Sequence, residues 1–257
     1  MRIIFAVLIL SIAPTCWSQV VLQALPPDDS PSNCHARSEM MHNWLEDWPN
    51  LSRYRAADMD LSAATAKTQR VVFMGDSITD AWNLAKYFPG RPYVNRGISA
   101  QTTPQMLLRF HQDVIALHPD VVVILAGTND IAGNTGPLSL TDTENNYASM
   151  ADLARANGVV VVFSSVTPIN NYTPRSLRFF AERSMDKIRE LNLWLQNYTR
   201  KHGDVYLDYY SHMLDDKGLL KRELSEDGLH PNDQGYRIMA GLAQAAIEQA
   251  QARAKRP

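Results

Sequence analysis

Residues Arg70 to Asp80 read RVVFMGDSITD. Val71, Val72, Phe73 and Met74 form a short apolar run, the pattern of a strand covered on both faces. Gly75 ends the run, and Thr79 or Asp80 is the expected cap of a short helix that follows. Ser77 then stands just past the carboxyl end of a buried strand, which in an open α/β sheet is where ligands bind. A serine hydroxyl is a weak nucleophile, so the rest of the chain is read for groups that would activate it.

Outward from this stretch, strands alternate with helices. Pro92 to Asn95 reads as a second, shorter strand that ends at Gly97. Pro104 stands at a first helical position, and Met106, Leu107, Phe110, Val114 and Ile115 follow at helical spacing. Val121 to Leu125 is the most strand-like run and leads into Ala126-Gly127-Thr128-Asn129-Asp130. Asn146 to Asn157 reads as a helix closed by Gly158, and Val159 to Phe163 as a fourth strand. A polar loop with Asn170, Tyr172 and Pro174 precedes a long helix carrying Met185, Ile188, Leu191, Leu195 and Tyr198. Val205 to Leu207 is a short fifth strand, and Asn232 to Ala252 a closing helix. Strands that are apolar on both faces need helices on both sides, and right-handed crossovers leave few topologies. The expected fold is a five-stranded parallel sheet in the order 2-1-3-4-5 with helices on both faces.

The chain has 257 residues, 45% hydrophobic and 20% charged, which suits a single core and one domain. A formal net charge of -2 gives no global attraction to nucleic acid or to an anionic membrane, and neither partner is expected. At the N-terminus, Arg2 precedes the apolar run Ile3 to Ile12, too short to span a bilayer, and Pro14 to Ser18 break it. Residues 1–18 therefore read as a secretory signal peptide and not as a transmembrane anchor, with Ser18 a suitable cleavage position. The expected location is secreted or periplasmic. Thr15 before Cys16 is a weak match to a lipoprotein signal. Residues 19–35, with Pro26, Pro27 and Pro31, read as a flexible tether, and 36–257 as the folded domain. A helix is expected from near Ala36, carrying Met40, Met41, Trp44 and Leu45, and another within Leu51 to Ala66. If Cys16 leaves with the signal, Cys34 is alone and core packing carries the stability.

The expected topology gathers four features at one sheet edge. They are Ser77 after strand one, Gly97 after strand two, Asn129 after strand three, and Asp227-Gly228-Leu229-His230 before the last helix. Acyl transfer needs these roles. A neutral imidazole, His230, accepts the Ser77 proton, and a carboxylate, Asp227, fixes its tautomer. The oxyanion needs preorganised donors, for which the N–H groups of Ser77 and Gly97 and the Asn129 carboxamide are suitable.

Block by block, these residues resemble the GDSL esterases, also called SGNH hydrolases. Gly75-Asp76-Ser77-Ile78 resembles the nucleophile block and Asn95-Arg96-Gly97 the second, whose glycine gives an oxyanion-hole N–H. Gly127-Thr128-Asn129-Asp130 resembles the third block, and Asp227-Gly228-Leu229-His230-Pro231 the last. The resemblance runs from Val71 to about Ala240. It implies a flavodoxin-like three-layer sandwich, no metal, no cofactor, and ester or thioester hydrolysis. One departure stands out: the second block often carries another glycine three positions on, where this chain has Ala100. Thr79 occupies the last glycine position of Gly-x-Ser-x-Gly, which argues against an α/β-hydrolase elbow.

Each residue also has a plain structural reading. Ser77 alone would be a helix cap, Asn129 a turn residue, and His230 a loop histidine packed on the last helix. Asp76 reads as a structural hydrogen-bonder with no catalytic role. Together, in order and at strand ends, the blocks favour a secreted serine esterase for short acyl chains, acetyl esters above all, on a small molecule or a carbohydrate. Acyl transfer to a sugar, lysophospholipid or thioester hydrolysis, and a non-enzymatic anion-binding module are the alternatives. The stretch Asn170 to Phe180, with Tyr172, Arg175, Arg178 and Phe179, either walls the leaving-group side or packs ordinarily.

Overall fold

The five apolar runs become five parallel strands, β1 (Val71–Gly75), β2 (Tyr93–Gly97), β3 (Val121–Leu125), β4 (Val160–Ser164) and β5 (Val205–Leu207), in a computed structural model of the chain. Their order is β2-β1-β3-β4-β5, the order expected from the sequence. The structure describes residues 45–62 and 69–254, together with Ser38 and His42. The signal peptide at 1–18, the tether at 19–35, the helix start near Ala36 with Met40, Met41 and Trp44, and residues 63–66 lie outside the described residues.

Helices α1 (Arg55–Ser62), α2 (Ser77–Asp80), α3 (Leu84–Tyr87), α4 (Thr103–Asp113), α5 (Thr128–Ala132), α6 (Leu140–Ala156), α7 (Pro174–Glu182), α8 (Met185–His202), α9 (Tyr210–Met213) and α10 (Asp233–Ala254) join and flank the strands. Side chains alternate across a strand, so each strand serves two cores. Val72, Met74, Val122, Ile124, Val161 and Phe163 pack with Met106 and Phe110 of α4, Tyr147 and Met150 of α6, and Ile188 and Leu191 of α8. Val71, Phe73, Val121, Val123 and Val162 face the other way, onto Trp82, Phe88 and Tyr236, Met239, Ala243 and Ile247 of α10. The result is the expected three-layer sandwich. Among the described residues no helix is long and apolar enough to cross a membrane.

Three local expectations change. The cap of α2 is Asp76, not Thr79 or Asp80: Asp76 Oδ1 accepts the Ile78 N–H at 3.0 Å and Ser77 is the first helical residue. Helix α6 begins at Leu140, six residues before the expected start at Asn146, because Ser139 and Asp142 form a capping box. The polar stretch before α8 is itself partly helical. Thr173 caps α7, Pro174 opens it, and Ser176 completes the box.

Candidate active site

The carboxyl end of β1 delivers Ser77 directly into the first turn of α2. A first-turn N–H has no intrahelical acceptor, so the Ser77 N–H has no partner within its own helix. A side chain cannot be added at Gly75, because a Cβ there would fall on Thr79 of the same turn. Ser77 Oγ lies 2.9 Å from His230 Nε2.

His230 is held from the loop before α10. Its Nδ1 lies 2.8 Å from Asp227 Oδ2. Asp227 Oδ1 accepts the N–H groups of His230 at 2.8 Å and Leu229 at 3.1 Å, and the Ser225 hydroxyl at 3.2 Å. Gly228 makes the turn with φ +80°, and a Cβ there would strike Ser176 and Asn170. Burial alone would raise the Asp227 pKa, but the hydrogen bonds from the His230 ring and the two N–H groups outweigh it and hold the carboxyl below its ordinary value. The ring of Phe179 on α7 stands edge-on to the imidazole, with centroids 5.9 Å apart.

Asn129 comes from α5, which Gly127 opens with φ +100°. Its amide is clamped on both sides: Nδ2 donates to Gln101 O at 3.0 Å and Oδ1 accepts from Arg183 Nη2 at 3.1 Å. Asn129, Ser77 and His230 line one open cavity of about 710 Å³, together with Ser99, Ala100, Ile131, Leu138, Arg178, Phe179, Arg183 and Lys187.

Gly97 does not line this cavity. Its N–H donates to Asn95 Oδ1 at 2.8 Å and its carbonyl accepts from the Tyr54 hydroxyl. A Cβ on Gly97 would fall on the Asp80 backbone, so the glycine is there for the close approach of β2 to α2. The expectation that Gly97 supplies an oxyanion donor is therefore corrected. The residue of the second block that reaches the cavity is Ala100, in the left-handed region with φ +66°. Asp80 Oδ2 accepts the N–H of neighbouring Ser99 at 3.1 Å, and Asn134 Nδ2 donates to the Ala100 carbonyl at 3.1 Å, which fixes the turn.

Two buried acids brace the site from behind. Asp130 accepts the Thr103 N–H and hydroxyl at the start of α4, and burial raises its pKa. Burial pushes the Asp76 carboxyl up to about 6, against the Ile78 hydrogen bond, and its Oδ2 has no partner. Arg109, fully buried, ties Gln101 Oε1 at 2.6 Å to Asp113 at 2.9 Å and to the Gly75 carbonyl at 3.2 Å. Ala100, Gln101, Arg109 and Arg183 carried no site signal in the sequence beyond the missing second glycine at Ala100. Among the described residues no cluster of His, Cys, Asp and Glu could hold a metal ion.

The arrangement can do one kind of chemistry well. A hydroxyl, an imidazole and a carboxylate form a relay, and a carboxamide lines the same cavity as the hydroxyl. Comparison with known proteins points the same way. The chain matches the GDSL-like Lipase/Acylhydrolase family over residues 73–238. It is 29% identical over 214 residues to an acetylxylan esterase of Xylanibacter ruminicola, covering 70% of this chain and 43% of that protein. It is 32% identical over 130 residues to the esterase TesA of Pseudomonas aeruginosa, covering 45% of this chain and 63% of that protein. The chain thus spans less than two thirds of the length of either curated relative. The crystal structure of a GDSL-like lipase from Bacteroides thetaiotaomicron shares 40% identity and a TM-score of 0.72, covering 79% of this chain and 98% of that one.

Proposed function

Because the chain belongs to the GDSL-like lipase/acylhydrolase family, we propose that it is a serine esterase that hydrolyses short-chain, chiefly acetyl, carboxylic esters. The observation that carries the reading is the unbroken relay from Ser77 Oγ through the His230 ring to Asp227, at 2.9 and 2.8 Å. Ser77 Oγ attacks the ester carbonyl carbon while His230 Nε2 takes its proton. Asp227 holds the imidazole with Nε2 free and stabilises the imidazolium. The oxyanion is met by the N–H groups of Ser77 and Ala100 and by the free amide hydrogen of Asn129. Collapse breaks the ester C–O bond, and His230 returns the proton to the leaving alcohol. Water, deprotonated by His230, then attacks the acyl-enzyme and releases the carboxylic acid.

The cavity supports a small acyl group and a polar alcohol. Its walls mix Ile131, Leu138, Phe179 and Leu229 with Arg178, Glu182 and Lys187, which suits a hydroxylated leaving group more than a long alkyl chain. The likeness to an acetylxylan esterase makes acetylated carbohydrate the first substrate to try. The apolar run at Ile3 to Ile12 supports secretion.

The test is a rate profile against p-nitrophenyl esters of rising chain length, run beside acetylated xylan, with acetate release measured directly. Rates that peak at acetate and fall with chain length, with acetate released from the xylan, agree with the proposal. A peak at octanoate or longer overturns the short-chain assignment. Acetyl transferred to added sugar, with no free acetate, overturns hydrolysis in favour of acyl transfer.

A further inference from the structure

The chain breaks between α7 and α8 at Arg183, whose backbone is extended at φ -125° and ψ 108° while Ser184 caps the next helix. The break turns the Arg183 side chain inward. Only 4% of it is exposed, yet it forms part of the cavity wall. A buried guanidinium is costly unless its donors are satisfied. Here Nε donates to Thr128 Oγ1 at 3.1 Å, Nη1 to Glu182 Oε2 at 3.2 Å, and Nη2 to Asn129 Oδ1 at 3.1 Å. The guanidinium also lies 5.4 Å from the centre of the Phe179 ring, which in turn stands against His230.

These partners remove an ambiguity that a carboxamide ordinarily has. An amide rotated by half a turn presents oxygen where nitrogen was, and an oxygen facing an oxyanion repels it. Guanidinium can only donate and the Gln101 carbonyl can only accept. The Asn129 oxygen must therefore face Arg183, and its NH2 must face Gln101 and the cavity. The positive charge on the oxygen side also draws density from the amide and strengthens the remaining N–H as a donor.

We propose that Arg183 is a positioning residue of the oxyanion site: it fixes the rotation of the Asn129 carboxamide so that N–H, not oxygen, meets the developing negative charge. The proposal rests on the reading of Asn129 as an oxyanion donor. It predicts an effect that appears in the transition state and runs entirely through Asn129, which a general packing role for Arg183 would not produce.

The experiment is a double-mutant cycle of Arg183→Met and Asn129→Ala on p-nitrophenyl acetate, with kcat and KM measured separately and thermal melts on every variant. Arg183→Met should lower kcat by roughly 10- to 100-fold with KM within about 2-fold of wild type. In the Asn129→Ala background the same change should cost less than about 3-fold. If Arg183→Met does not fold, Arg183→Lys keeps the charge and stem but loses the fork. Its loss of kcat should likewise vanish in the Asn129→Ala background. Equal losses in both backgrounds, an unchanged kcat, or a loss carried by KM would overturn the proposal. Asn129→Ala at full kcat would overturn the oxyanion reading and this proposal together, whereas a slow Asn129→Ala beside a fully active Arg183 variant would overturn this proposal alone.

Discussion

The Ser77 hydroxyl and the His230 imidazole are 153 residues apart in the chain and 2.9 Å apart in the fold. Neither group is placed by its own segment alone. Ser77 is aimed by the end of β1, and Tyr236 of α10 donates its hydroxyl to the Ile78 carbonyl at 2.8 Å, tying the nucleophile turn to the helix that follows His230. The histidine loop is pinned to the same helix start by Asn232, whose N–H donates to the Leu224 carbonyl at 2.8 Å. The contact is therefore a product of the whole sandwich, and disturbing either support should loosen it before it unfolds the protein.

Asp227→Asn should keep the fold and lose most of the activity. An asparagine keeps an oxygen for the Leu229 and His230 N–H groups but offers the ring nothing that selects the tautomer with Nε2 free. A loss of kcat on the order of 10⁴-fold is expected, with little change in KM. The pH dependence follows from the direction of the shift. The Asp227 pKa is lowered, so its hydrogen bonds stabilise the folded state above the ordinary carboxylate value and are lost as pH falls through the lowered one. Acid unfolding curves of the two proteins should therefore converge at low pH, and curves that stay parallel would contradict the assignment.

Gly97→Ala and Ala100→Gly should behave oppositely. The methyl group at residue 97 would collide with the Asp80 backbone, so that variant should unfold several degrees lower or fail to accumulate. At residue 100, glycine relieves a left-handed alanine, worth about 1–2 kcal/mol, and gives back part of it through a looser unfolded chain. Ala100→Gly should be neutral to slightly stabilising and fully active. Melting temperatures and p-nitrophenyl acetate rates on both variants check the pair.

Asp76 carries a destabilising charge at neutral pH. Its folded pKa is raised to about 6 from an ordinary 3.8, because burial disfavours the ionised form. Below 3.8 both states are protonated; as pH rises towards 6 the unfolded chain gains stability from ionising and the folded chain does not. Wild type should therefore lose on the order of 2–3 kcal/mol relative to Asp76→Asn across that interval and then run level. Urea unfolding of both proteins at pH 4, 5, 6 and 7, on the ordinary scale, measures the difference directly. A constant difference would contradict the raised pKa.

The sequence carried the sheet almost entirely. Val71 to Met74 and Val121 to Leu125 are apolar at every position because both faces are covered, and that pattern has few other causes. The start of α6 does not show in the apolar pattern because Leu140 to Glu144 is mostly polar, and the Ser139-to-Asp142 box is its one local mark. The convergence of Ser77, Asn129 and His230 on one cavity, with Asp227 behind the imidazole, was legible from their residue types and strand-end positions. Ala100 shows in the sequence only as a missing glycine; its positive φ and its place in the cavity wall come from the fold. Arg183 left no trace at all: its role depends on a helix break and on a partner 54 residues away.

Covalent capture of Ser77 tests the central claim most directly. The protein is treated with a fluorophosphonate, its intact mass is measured, and the adduct is mapped by peptide sequencing. One adduct per chain, on Ser77, absent from Ser77→Ala and formed far more slowly in His230→Ala, is the predicted result. A wild-type protein that hydrolyses p-nitrophenyl acetate while Ser77 stays unlabelled, or a Ser77→Ala variant that is labelled and active as before, would contradict it.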